Sequence, residues 1–256
     1  MQIVNYEQTE SMATRGEGYT STVHHYYGRV KSIHEGPQAF LVEMPDEGST
    51  IHPHFHDVDQ FQVVVGGGGR MGPDAIAPVA FHYADAYTPY GPIIGGKEGL
   101  DFFTIRAQCV TGFFPMPAAR SKIVGKPGRN LYGQFETGKP LPAAGQSTRE
   151  TLVTDASDGI KVMGMRLGPN ASVAGEPSLA GNQYYLVCTG ALIEHGKEAP
   201  PRSLINVAPG EATPTLQAGP QGAEVLFLQL PKPSDRPGSR LRTMAEMAGV
   251  SYTSKA

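Results

Sequence analysis

Tryptophan is absent from the 256 residues, and cysteine occurs only twice, at Cys109 and Cys188. Each cysteine sits inside apolar, strand-like text and reads as a small buried hydrophobe. That argues against a disulfide-stapled scaffold or a cysteine metal centre and suits a reducing compartment. Neither sign of charge dominates, since 21 basic and 24 acidic residues leave a formal net charge of −3. The electrostatic footprint of a nucleic-acid or anionic-membrane binder is missing, so small molecules or other proteins are the expected partners. No apolar run approaches the roughly 20 residues that span a bilayer. The opening stretch Met1–Gln8 has neither the basic nor the apolar region of a secretory signal, which makes the cytoplasm the expected location. Helical periodicity is scarce as well, best in Arg240–Met247, with a further turn near Ala118–Ser121.

What the chain does have is turn chemistry and short strands. It holds 32 glycines and 22 prolines, above average usage but below a low-complexity level. Between them recur apolar or alternating runs, among them Ala39–Met44, Gln60–Val65, Phe102–Arg106, Lys161–Arg166, Gln183–Cys188, Ser203–Val207 and Glu224–Leu230. Their length and their Val, Ile, Phe and Tyr content predict β-strands, and the class is all-β, a sandwich or barrel. The run Gly66–Gly69 lacks the following Lys-Ser/Thr and helix of a phosphate loop and reads as a flexible hairpin turn.

Two blocks match at a shift of 123 residues. Gln60–Gly67 lies over Gln183–Gly190, and Phe102–Arg106 over Val225–Gln229. A period this long implies two copies of one barrel rather than a solenoid. The organisation expected is an N-terminal barrel over 1–120 carrying the active site, a Gly-, Pro- and Lys-rich connection over 121–147, a second barrel over 148–232 and a tail over 233–256. The tail, with Pro233 and Pro237, is expected to pack loosely or swap onto a neighbouring molecule.

The chemistry concentrates in one strand. His52, His54 and His56 stand at alternate positions, which on a strand puts their imidazoles on one face, able to converge on a metal. Gln60 and Gln62 share that parity if the strand resumes after Asp57–Asp59. Polar side chains there are unusual for a barrel interior unless something polar binds.

These residues resemble the cupin family. Its first motif runs Gly, five residues, His-x-His, three or four residues, Glu, six residues, Gly. Here Gly48, His54, His56, Gln60 and Gly67 fit every interval, with Gln in place of Glu. With the 123-residue repeat, the resemblance is to two-barrel bicupins and covers most of residues 35–232. It implies tandem double-stranded β-helix (jelly-roll) barrels. The family's second motif supplies a third histidine, and two alignments place Tyr90 or Ile94 there. Tyr90 is preferred, because Ile94 leaves too short a run to Leu100. His82 falls early for the family but has matching parity. In the second copy the histidine positions hold Pro177 and Leu179.

The resemblance implies metal ligation by His54 and His56, with Gln60 as auxiliary ligand, orienter or substrate donor. Tyr90 or His82 would be the acid–base or closing residue. The expected cofactor is a divalent transition metal, from Fe, Zn, Cu, Ni and Mn. Loss of the Glu carboxylate makes the site more positive and less suited to Mn²⁺ or Fe²⁺. His52 is expected at the rim, and Arg106 either grips a carboxylate or lies exposed at its strand end. The function expected is a metal-dependent bicupin enzyme, an oxidoreductase of dioxygenase type, acting on a small aromatic or carbonyl-bearing substrate. A non-enzymatic ligand-binding bicupin and a metal-independent isomerase or lyase remain open. A compact monomer and a homodimer are both compatible with the family.

Overall fold

The computed structural model describes residues 2–126 and 128–247. The chain is all-β and forms two jelly-roll barrels in tandem. The N-terminal barrel is a nine-stranded antiparallel sheet. Its main order is Asn130–Gln134, Ala80–Ala84, Gln60–Met71, Ile93–Arg106, Gln38–Met44, Tyr19–Tyr27 and Glu10–Gly16. The short strand His54–Phe55 pairs separately with Phe114–Pro115. In the C-terminal barrel the main order is Gln2–Val4, Leu204–Val207, Gln183–Glu194, Thr215–Gln229, Lys161–Leu167 and Ser147–Thr154.

Every strand expected from the sequence is present, most of them longer. The central pair of the first barrel places Gln60 opposite Arg106, Gln62 opposite Thr104 and Val64 opposite Phe102. Alternation sends these six side chains to one face and Phe61, Val63, Phe103 and Ile105 to the other. The second barrel repeats the register, with Gln183 opposite Gln229 and Tyr185 opposite Phe227. Its core of Met163, Met165, Tyr185, Val187, Val225 and Phe227 is closely filled by apolar side chains. In the first barrel Val23, Phe40, Val42, Val64, Tyr90 and Phe102 cluster together, but a polar group of residues lies at one end of them.

Three expectations are corrected. Gly66–Gly69 is not a hairpin turn: it continues the strand Gln60–Met71 beside Ile93–Arg106, where the register shifts between Gly95 and Leu100. Glycine is needed there because the two backbones nearly touch. A Cβ on Gly67, whose φ is +60°, would collide with the carbonyl of Gly99, and one on Gly69 with that of Ile94. The helix over Arg240–Met247 shrinks to the single turn Met244–Met247, because the backbone N–H of Arg242 donates instead to Gln108 Oε1 (2.9 Å).

The tail, finally, is not loose over its described residues 233–247. Residues 233–247 belong to the N-terminal barrel, and residues 2–9 belong to the C-terminal one through the pairing of Gln2–Val4 with Leu204–Val207. The barrel boundaries therefore differ from the contiguous segments expected. Each barrel is completed by an end of the chain remote from it in sequence.

Gly190, the repeat partner of Gly67, has the same left-handed backbone (φ +65°) and presses on the carbonyl of Gly222. We therefore expect Gly67→Ala and Gly190→Ala each to destabilise the protein by about 2 kcal/mol or more, from left-handed strain plus the clash. Denaturant unfolding checks this, and Gly36→Ala is the comparison. Gly36 shares the positive φ but faces open space, so it should cost only the strain.

Candidate active site in the N-terminal barrel

The site grows from a broken strand. Thr50–Ile51 and His54–Phe55 are separate short strands. Pro53 lies between them, and a proline cannot donate to a ladder. His52 ends up exposed at the cavity mouth, while His54 and His56 are buried (3% and 8% exposed). The backbone of His54 bridges that of Tyr90 in both directions (3.1 and 3.0 Å), which brings Tyr90 rather than Ile94 opposite the histidine.

Three side chains converge on the Tyr90 oxygen. His54 Nδ1–H donates to the carbonyl of His52 (2.8 Å), so Nε2 is the acceptor and takes the Tyr90 hydroxyl hydrogen (2.7 Å). Gln60 Nε2 (2.5 Å) and Gln62 Nε2 (3.0 Å) both donate to the same phenolic oxygen. Behind them Arg106 Nε donates to Gln60 Oε1 (3.0 Å) and Nη1 to Gln38 Oε1 (2.7 Å), and Gln38 is anchored on the carbonyl of Arg29 (3.0 Å). The two nitrogens of His82 lie 2.6 Å from Gln62 Oε1 and 2.9 Å from Asn130 Oδ1, and the neutral ring donates its one N–H to one of these oxygens. His56 takes no part in this knot. Its Nδ1–H donates to the carbonyl of Gly112 (2.9 Å), which leaves Nε2 as the acceptor nitrogen.

A cavity of about 630 Å³ opens on this cluster. His54, His56, Gln62, Tyr90, Thr104 and Arg106 form its polar end, and Phe40, Val42, Phe102 and Phe113 are among its apolar walls. Phe113 stacks on His54 with ring centres 4.3 Å apart. The volume suits a small-molecule ligand. Neither Gln60 nor His82 reaches the wall. Gln60 turns its nitrogen to Tyr90 and its oxygen to Arg106, so its carbonyl is already engaged, and His82 reaches the cavity only through Gln62 and Tyr90. Arg106 is not an exposed strand end, being 3% exposed and part of the cavity wall.

Burial sets the charge state. It pushes His54 down to about 4, the nearby Arg106 guanidinium acting in the same direction, and it pushes His56 well below its ordinary value. His82 is likewise pushed down by burial to about 4, and Tyr90 up to about 12. At neutral pH the cluster therefore holds neutral imidazoles and a protonated phenol around one buried cation. Sequence reasoning missed Gln38, Asn130, Phe113 and the Gly112 carbonyl. Only their place in the folded barrel, remote in sequence from the histidines, makes them part of the site.

No family model and no curated protein sequence matches this chain. Solved structures do match. A putative dioxygenase from Nostoc punctiforme superposes with a TM-score of 0.60 at 12% identity, covering 94% of this chain and 85% of that one. An oxalate decarboxylase variant from Bacillus subtilis gives 0.59 at 12% identity, with 89% and 76% covered. The Escherichia coli pirin YhhW, in complex with nickel(II), gives 0.53 at 13% identity, with 90% and 99% covered. The fold is thus that of the two-barrel cupins. At such identities the likeness concerns the fold alone.

The donor set decides what an ion would find here. Among the described residues no three His, Cys, Asp or Glu side chains gather to hold one. Two neutral imidazoles do stand with ring centres 5.1 Å apart, each with its Nδ1–H fixed by a backbone carbonyl, the arrangement that readies Nε2 for a metal. With the Tyr90 oxygen adjacent, they make a neutral nitrogen–oxygen set that suits Zn²⁺, Cu²⁺ or Ni²⁺ better than Mn²⁺.

Two outcomes follow. Tyr90→Phe leaves one acceptor and two amide donors without their partner, so a loss on the order of 2 kcal/mol is expected in denaturant unfolding. Because the folded values of His54 and His82 lie below the unfolded ~6.5, their contribution is fully present above pH 6.5 and is lost as pH falls from 6.5 towards 4. The melting temperature of metal-free protein should drop over that window. A flat profile would show that the imidazoles are not held neutral.

Proposed function

We propose that the N-terminal barrel is the working site of a cupin enzyme acting on a small, oxygen-bearing molecule, with a divalent transition ion held by His54 and His56 and Tyr90 closing the set. The observation that carries this reading is the pair of neutral imidazoles, each tethered at Nδ1 by a backbone carbonyl, at the polar end of a cavity of about 630 Å³. An ion bound there supplies Lewis acidity towards a substrate oxygen.

The chain's own residues do the rest. Phe40, Phe102 and Phe113 offer flat apolar walls for an aromatic or carbonyl-bearing body and keep water from it. Arg15, Lys31 and Arg106 outweigh the single acid of the lining, Glu17, and favour a substrate with an anionic end. Without an ion Tyr90 holds its proton against His54; with His54 engaged by an ion, that hydroxyl hydrogen would be free to meet a substrate oxygen, while Gln62 keeps the phenol in place. Gln60 positions Tyr90 rather than ligating. The reaction class that best suits an oxygen-directed site of this kind is oxidation of dioxygenase type, the activity that the Nostoc neighbour's description suggests for that protein.

One observation favours a second reading, metal-free ligand binding or isomerisation: the His54 acceptor is already satisfied by Tyr90, and among the described residues no third His, Cys, Asp or Glu joins the pair to hold a dication. Elemental analysis separates the two. Untagged protein incubated with Zn²⁺, Cu²⁺ or Ni²⁺ and then desalted should retain about one ion per chain, lost in the His54→Ala/His56→Ala double variant. Retention below a tenth of an ion, or retention unchanged by the double variant, would overturn the metal reading, and chelator-resistant binding of small carboxylates would then support the second.

A further inference from the structure

Between His56 and Gln60 the chain runs through a short loop bearing two acids, Asp57 and Asp59, both nearly buried (3% and 8% exposed). Buried carboxylates need partners, and theirs come from the far end of the chain. Arg242 Nη1 donates to Asp57 Oδ2 (2.7 Å), and Arg236 Nη2 to Asp59 Oδ2 (2.6 Å). Arg236 also approaches Asp85 Oδ1 (3.3 Å), which Arg129 holds from the other side (3.2 Å). The segment is seated closely. Gly238, at φ +76°, lies against the carbonyl of Asp57 and the side chain of Ala86, where a Cβ would collide. Gln108 ties down its backbone at Arg240 (3.0 Å) and Arg242 (2.9 Å), and Arg242 Nη2 donates to the carbonyl of Cys109 (2.9 Å).

The contact continues towards the site. Asp57 accepts from both the backbone N–H (3.1 Å) and the hydroxyl (2.6 Å) of Thr111. The next residue is Gly112, whose carbonyl receives the Nδ1–H of His56 (2.9 Å). A line of hydrogen bonds, charge-assisted at Asp57, and one peptide therefore joins Arg242 to the His56 ring.

We propose that Arg242 and Arg236 are positioning residues for the cavity. They lock the His56–Gln60 loop, and through Asp57 and Thr111 they fix the carbonyl that selects the tautomer and orientation of His56. The proposal rests on the N-terminal barrel being the working site. Its physical basis is that the ring's acceptor nitrogen faces the cavity only while Gly112 holds the other one. Removing Arg242 leaves a buried Asp57 free to draw Thr111, and with it Gly112, away.

Nitrogen-15 histidine spectra of the full chain, without metal, test it. Wild type should show His56 as a single Nδ1–H tautomer. In Arg242→Ala that signature should give way to a mixture, while His82 keeps its signals, and Arg242→Lys should restore it in part. Thr111→Val removes the hydroxyl half of the Asp57–Thr111 contact without touching the tail and should disturb His56 in the same direction, which keeps the test usable if Arg242→Ala does not fold. Alongside, Ni²⁺ affinity should fall in Arg242→Ala by up to about 10-fold, the lower bound for removing a direct outer partner of a ligating histidine, since Arg242 acts through Asp57 and Thr111.

A lower melting temperature with His56 spectra unchanged would overturn the proposal and reduce the tail to a staple. Failure of the wild type to bind Ni²⁺ would count against the metal reading alone, since the His56 spectra are recorded without metal.

Discussion

One phenolic oxygen organises the first barrel. Tyr90 donates to His54 and accepts from Gln60 and Gln62, so the strand carrying the histidine, the central strand and the Tyr90 loop are fixed relative to one another through a single atom. The bifunctional amide makes this possible. Gln60 can accept from Arg106 and donate to Tyr90 at once, whereas an ionised glutamate could only accept. Gln60 and Tyr90 therefore act as one unit, a neutral amide and a phenol that complete each other's hydrogen bonds.

The second barrel shows the same scaffold without the chemistry. Gln183 keeps the register of Gln60, but the residue facing it is Gln229 where the first barrel has Arg106, and the two amides bond to each other (2.9 Å). Tyr185 and Phe227 fill the neighbouring positions with ring centres 4.9 Å apart. With no cation to satisfy, an apolar core closes over the place where the first barrel stays open. A glutamine at this strand position thus serves the fold in both barrels.

Much of this was legible in the text of the chain. Period-2 alternation and turn residues revealed the strands. The intervals from Gly48 to Gly67 located the histidines, and parity put Gln60 and Gln62 inside. What alternation could not show was the third dimension. The Gly66–Gly69 run looks like a turn because glycine marks both turns and close backbone approaches, and only the neighbouring strand distinguishes them. Arg106 looks like a solvated strand end because its acceptors, Gln38 and Gln60, lie far from it in sequence. The arginines at 236 and 242 carry no periodic signal, since their partners are 177 and 185 residues away.

The exchange of chain ends has a consequence for biosynthesis. Residues 2–9 are made some two hundred residues before Leu204–Val207, with which Gln2–Val4 pairs, and the loop holding His56 is not clasped until residues 236–242 have emerged. A nascent chain stalled midway exposes an unpaired strand and an unlatched cavity, the kind of intermediate that chaperones recognise. Cutting the gene at the apparent junction between barrels would yield two fragments, each lacking a piece held by the other.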